Sequence, residues 1–137
     1  PGYSLSLPAV KADPLIGIGY GDWNSTLKIE VYTETDSKVE SVAEYELENT
    51  SFSQEYKAYF IDKESGLVGL AVRETDAQYK YHYKYLVLWF DGYDLVKLDL
   101  DIPFADSYIN SSYVRACRVE NYLYVLSENE FYAVKLG

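Results

Sequence analysis

Leu15-Ile16-Gly17-Ile18-Gly19 returns as Leu67-Val68-Gly69-Leu70-Ala71 and, more loosely, as Leu123-Tyr124-Val125-Leu126-Ser127, with starts at 15, 67 and 123. Self-similarity at a spacing of about 50 residues is the mark of a repeated supersecondary unit. The unit can be read outward from each copy. A strand and a turn precede it (Ser4 to Val10, Lys57 to Ile61, Val114 to Val119), and two further strands follow the first two copies. Those are Thr26 to Tyr32 with Val39 to Leu47, and Lys84 to Phe90 with Leu95 to Ile102.

The strands show in their alternation. In Leu27-Lys28-Ile29-Glu30-Val31 the odd positions are apolar and the even ones charged, which buries one face. Val96, Leu98, Leu100 and Ile102 alternate with Lys97, Asp99 and Asp101 in the same way. Tyr85-Leu86-Val87-Leu88-Trp89-Phe90 is apolar on both faces and needs cover above and below. No stretch carries a helical period. Turns are expected at residues 11–14, 62–66, 91–92 and 120–121, where Asp, Asn, Gly and Pro tolerate turn backbone angles.

Four-stranded antiparallel units at this period are propeller blades. The expected fold is therefore all-β, a β-propeller fragment of about three four-stranded blades at roughly 3–47, 56–102 and 113–137, the last lacking its outer strand. Such an arc leaves apolar faces and a strand edge uncovered, so the rest of a propeller, or another copy of the chain, is the expected partner. The chain begins at Pro1 and contains no Met, and is read as a piece of a longer protein.

Composition narrows the classes. The 137 residues include 16 Tyr and 2 Trp, a bias towards pleated surfaces. A net charge of −10 repels phosphate backbones and anionic headgroups, so neither nucleic acid nor a membrane surface is an expected partner. No apolar run approaches the ~20 residues of a membrane helix. Cys117 is the only cysteine, which excludes an intrachain disulfide, and is read as a small buried hydrophobe.

Ser51 to Gly69, with Lys57-Ala58-Tyr59-Phe60-Ile61-Asp62-Lys63-Glu64-Ser65-Gly66-Leu67 at its centre, resembles a recurring segment of the bacterial and archaeal secreted β-propeller family. Pro14 to Tyr20 and Val114 to Ser127 are similar to two further segments of that family, in the same order. The pattern departs at Glu55-Tyr56, where the family carries Asp-His. The resemblance implies an exported or cell-surface protein with no established reaction.

Candidate chemistry is sparse. His82 is the only histidine and is read as exposed, with ligand contact on an aromatic loop as the sharper reading. Gly17-Ile18-Gly19-Tyr20-Gly21 lacks the helix that a phosphate loop requires and is read as strand. Glu40, Glu44, Glu46 and Glu48 alternate along one solvated face; Asp99, Asp101 and Asp106 lack the pattern of a calcium loop, so neither metal nor cofactor is expected. Asn24, Asn49 and Asn110 head glycosylation triplets that signify surface exposure.

The loops 21–25, 48–56, 73–83 and 103–113 emerge at one end and hold Trp23, Phe52, Tyr79, Tyr81, His82, Phe104 and Tyr108. The opposite turns are short and polar. Trp23, Phe52, Tyr79, Tyr81, His82 and Tyr108 are the expected ligand contacts, for a protein, peptide or glycan, because rigid aromatics bury area at little entropic cost. The expected function is a non-enzymatic recognition or scaffold module. The alternative is part of the wall of a hydrolase- or lyase-type enzyme whose site needs other blades, since a fold does not choose between them.

Overall fold

A computed structural model of the chain describes residues 3–6, 14–21, 25–100, 102–105 and 108–136. They form three antiparallel sheets in sequence order. The first is β1 (Tyr3–Ser6), β2 (Leu15–Tyr20), β3 (Leu27–Thr35) and β4 (Lys38–Leu47), paired in that order. The third is β11 (Arg115–Val119), β12 (Tyr122–Leu126) and β13 (Phe131–Lys135).

The second sheet keeps a four-stranded frame with both side strands interrupted. Its centre is β7 (Leu67–Thr75) paired with β8 (Tyr81–Phe90). Both β5 (Thr50–Phe52) and β6 (Phe60–Asp62) pair with β7, and both β9 (Leu95–Lys97) and β10 (Ile102–Pro103) pair with β8. Residues 50–52 are thus ladder, not the expected loop. Beyond them Ser53 accepts from the Glu55 amide at 3.0 Å and the Glu55 carboxylate from the Lys57 amide at 3.3 Å. Such local bonds offer the backbone an alternative to the ladder, and a 3-10 turn over Tyr56–Ala58 splits the strand. The 73–83 loop is likewise mostly hairpin, since β7 and β8 stay paired out to Thr75 and Tyr81.

The second sheet is the middle layer. Ile16, Ile18, Leu27, Ile29 and Val31 pack with Val68, Leu70, Val72, Leu86 and Leu88. The other face puts Leu67, Ala71, Tyr85 and Val87 against Val114, Leu123 and Val125. Every residue from Leu67 to Val72 is therefore buried, as is Tyr85–Leu88. Each apolar side chain so covered is worth roughly 1.5–3 kcal/mol of burial, which makes this layer the core.

The repeat read from the sequence is one residue out of phase with the structure. Ile16 and Ile18 point at the second sheet, whereas Val68 and Leu70 point back at the first. Gly17 and Gly69 consequently face opposite ways along the stack. Side chains alternate with period two, so a one-residue slip exchanges the faces.

The outer faces differ. On the first sheet Lys28 lies 3.4 Å from Glu30 and 3.7 Å from Glu44, and Tyr32 and Ser41 donate to Glu30. The outward face of the third sheet exposes Val119, Tyr122, Leu126 and Phe131. Cys117 lies there and is exposed, a correction to its expected burial. It is flanked by Ala116 and Arg118, whose side chains turn to the second sheet, and strand alternation sends it the other way.

The second and third sheets are tied by Asp62, which accepts from Arg118 Nε at 2.5 Å and from the Ser65 hydroxyl at 2.7 Å. Burial opposes ionisation of Asp62, but the Ser65 hydroxyl and the Arg118 guanidinium outweigh it and hold the carboxyl below its ordinary value. A lowered folded-state pKa stabilises above the unfolded value of about 3.9, and that contribution is lost as pH falls through the folded value. Arg118→Met is expected to cost about 1 kcal/mol at pH 7, because the pair is partly exposed. The cost should shrink as pH falls below the ordinary carboxylate range and Asp62 takes up its proton, read from urea midpoints of both proteins from pH 7 downwards. A loss that does not change with pH would refute the assignment.

Candidate functional site

At the end of the second sheet that carries the β7–β8 turn, Ser51, Arg73 and Tyr83 are cross-strand neighbours in one row. They share the face of Ala71 and Tyr85, towards the third sheet. The connection between the two sheets passes over this row and leaves a cleft of about 210 Å³, lined among others by Ser51, Ser53, Arg73, Tyr83, Tyr108 and Ser112.

Arg73 dominates it electrostatically. One terminal nitrogen donates to Ser51 Oγ at 3.2 Å, and the guanidinium carbon stands 4.1 Å from the centre of the Tyr81 ring, a cation–π contact. Its Nε is buried with no hydrogen-bond partner. Among the described residues no carboxylate comes within 4.0 Å of it. The walls are hydroxyl-rich and braced. Ser53 and Ser112 share a 2.8 Å hydrogen bond, Tyr59 donates to the Ser53 carbonyl at 2.8 Å, and the Asn110 side chain accepts from the Ser112 amide at 3.1 Å. Tyr108 meets Tyr83 edge to face at 5.9 Å.

Beyond the cleft the hairpin closes over residues 76–80. Asp76 Oδ1 accepts from the amides of Gln78 and Lys80, and Oδ2 lies 2.7 Å from His82 Nε2. The His82 hydrogen bond, then the two amides, hold the Asp76 carboxyl below its ordinary value. This leaves Tyr79 at the tip, with φ of 62° and 87 % exposed. A bulky residue in the left-handed region is uncommon and strained.

The expected contacts divide. Tyr79, Tyr81, His82 and Tyr108 are exposed at this end, and Tyr81 and Tyr108 flank the cleft. Trp23 lies outside the described residues, as do Asn24, Asp101 and Asp106. Phe52 is a correction. It is 8 % exposed and packs on Tyr20 with ring centres 4.6 Å apart, because alternation along β5 turns it to the first sheet while Ser51 faces the cleft. Phe104 is also buried, edge-on to Tyr132. Nor is aromatic exposure confined to one end, for Tyr93 in the turn after β8 is 81 % exposed.

Arg73, Ser51, Ser53, Tyr83 and Ser112 were not singled out by sequence. They come from three segments, joined by the register of β5, β7 and β8 and by the Ser53–Ser112 hydrogen bond to the connection above them; the one local signal is a cation between aromatics across a hairpin. Among the described residues no three His, Cys, Asp or Glu side chains converge in a metal-binding group, and no helix is long and apolar enough to cross a membrane.

Against known proteins, a family model described as a beta propeller domain matches residues 1–136. No curated protein and no solved structure matches.

Proposed function

The chain belongs to the beta propeller domain family, and from that premise we propose that it is a recognition module that holds its ligand in the Arg73 cleft and against the tyrosines around it. The observation that carries this reading is Arg73, half-buried between Tyr81, Tyr83 and Ser51 with no carboxylate partner among the described residues. In a chain of net charge −10 such a cation is a binding group held ready. Exposed Tyr79, Tyr81 and Tyr108 add large rigid contacts beside it. Export of the protein is part of the proposal and is supported by the likeness to the secreted family's segments. So is assembly with further blades or a second copy, which the exposed Leu126 and Phe131 on the outer face of the third sheet favour.

A glycan and peptide array probed with the protein tests the recognition reading. Tyr79→Ala with Tyr81→Ala should weaken the strongest array signals at least tenfold, since aromatic anchors are typically worth about 2 kcal/mol or more. Signals that persist undiminished in the double variant sink the aromatic contribution.

A further inference from the structure

We propose that the cleft takes a single acidic sugar residue, a uronic acid, whose carboxylate pairs with Arg73; this rests on the recognition reading above. Three features select that chemistry. The first is the guanidinium itself. No carboxylate among the described residues pairs with it, and the planar fork of arginine matches the two oxygens of a carboxylate. Glu74, the nearest acid along β7, has its carboxylate on Lys84, on the opposite face of the sheet.

Size is the second feature. At about 210 Å³ the cleft falls below the roughly 300 Å³ at which sites for drug-sized ligands begin, so the part of a ligand it encloses is about one ring. The third is the lining. Hydroxyls of Ser51, Ser53 and Ser112 can each donate and accept, which suits a ring whose own hydroxyls do both. Tyr108, 68 % exposed, offers an aromatic face to the apolar side of that ring. The net charge of −10 opposes an anion at long range, but at physiological salt charges more than about 8 Å away are largely screened, while a half-buried arginine at contact is not.

The test titrates the full chain at physiological salt with glucuronate, glucose and N-acetylglutamate, by calorimetry or by amide chemical shifts. Glucuronate should bind at least tenfold more tightly than glucose or N-acetylglutamate. Arg73→Gln should weaken glucuronate about ten- to a hundredfold, the loss expected of a charge-assisted pair, and bring it to the level of glucose. Tyr108→Ala removes a mostly exposed ring, leaves the fold intact, and should also weaken glucuronate. Glucose binding as well as glucuronate, or Arg73→Gln leaving glucuronate unchanged, overturns the proposal. N-acetylglutamate matching glucuronate overturns it in favour of an acidic peptide. Array ligands that bind while glucuronate does not would overturn this assignment and leave the recognition reading standing, whereas an array without any ligand fails the recognition reading itself.

Discussion

Gly69→Val should destabilise the chain by at least about 3 kcal/mol, the upper range for forcing extra methyl groups into a packed core. Gly69 lies in β7 between Val68 and Leu70, and is buried. A Cβ added there would stand 2.7 Å from both Cε2 and the hydroxyl of Tyr85, closer than such atoms ever sit. Tyr85 cannot swing aside, because it is 2 % exposed and clamped in the core between the second and third sheets. Glycine at 69 is therefore a space requirement and not a conformational one. The same ring supplies a contrasting result. Its hydroxyl is buried without a hydrogen-bond partner, and burial pushes the phenol pKa far up. Tyr85→Phe removes an unsatisfied group, so it should stabilise by about 1 kcal/mol and make Gly69→Ala less costly. Urea midpoints of the single and double variants form the cycle that checks this. Gly69→Val within about 1 kcal/mol of the parent, or a clear loss from Tyr85→Phe, would contradict the packing described.

Gly66→Ala should cost about 2–3 kcal/mol by a different route. Gly66 closes the turn between β6 and β7 with φ of 77°, a left-handed conformation that L-residues adopt reluctantly. Its added Cβ would meet the Phe90 carbonyl oxygen at 2.5 Å, and that atom is backbone. The Phe90 amide meanwhile donates to the Gly66 carbonyl at 2.8 Å, so the turn cannot shift without opening the β7–β8 ladder. Gly92 is the control. Its φ is 103°, but nothing lies within 4 Å of an added Cβ. Gly92→Ala should then cost only the conformational part, about 1–2 kcal/mol, although its φ lies further from the left-handed well than that of Gly66. Thermal or urea unfolding of the two variants decides it, and a Gly66→Ala loss smaller than that of Gly92→Ala would contradict the clash with Phe90.

Much of this architecture was legible in the residues. Alternation in Leu27–Val31 marked a half-buried strand, and the doubly apolar run at Tyr85–Leu88 marked a covered one, because burial on one or two faces leaves different periods. The turn at 62–66 was visible in its Asp and Gly. Other features were not. Thr50–Phe52 is short, and its strand state depends on pairing with β7 twenty residues later in the chain. Phe52 and Ser51 are neighbours with opposite fates, one in the core and one in the cleft, and which is which follows from register with Arg73. Cys117 looked like a core residue by type and is exposed by alternation.

Local pattern alone thus determined the fold class, the approximate strands and the sign of the net charge, since each follows from short-range periodicity or composition. Tertiary structure decided the one-residue phase between repeats, the space that Gly69 must leave for Tyr85, and the meeting of Ser51, Arg73, Tyr83, Tyr108 and Ser112. Those depend on strand register and on which sheet covers which face. A single step of register reverses every side chain, and no local run of residues carries that step.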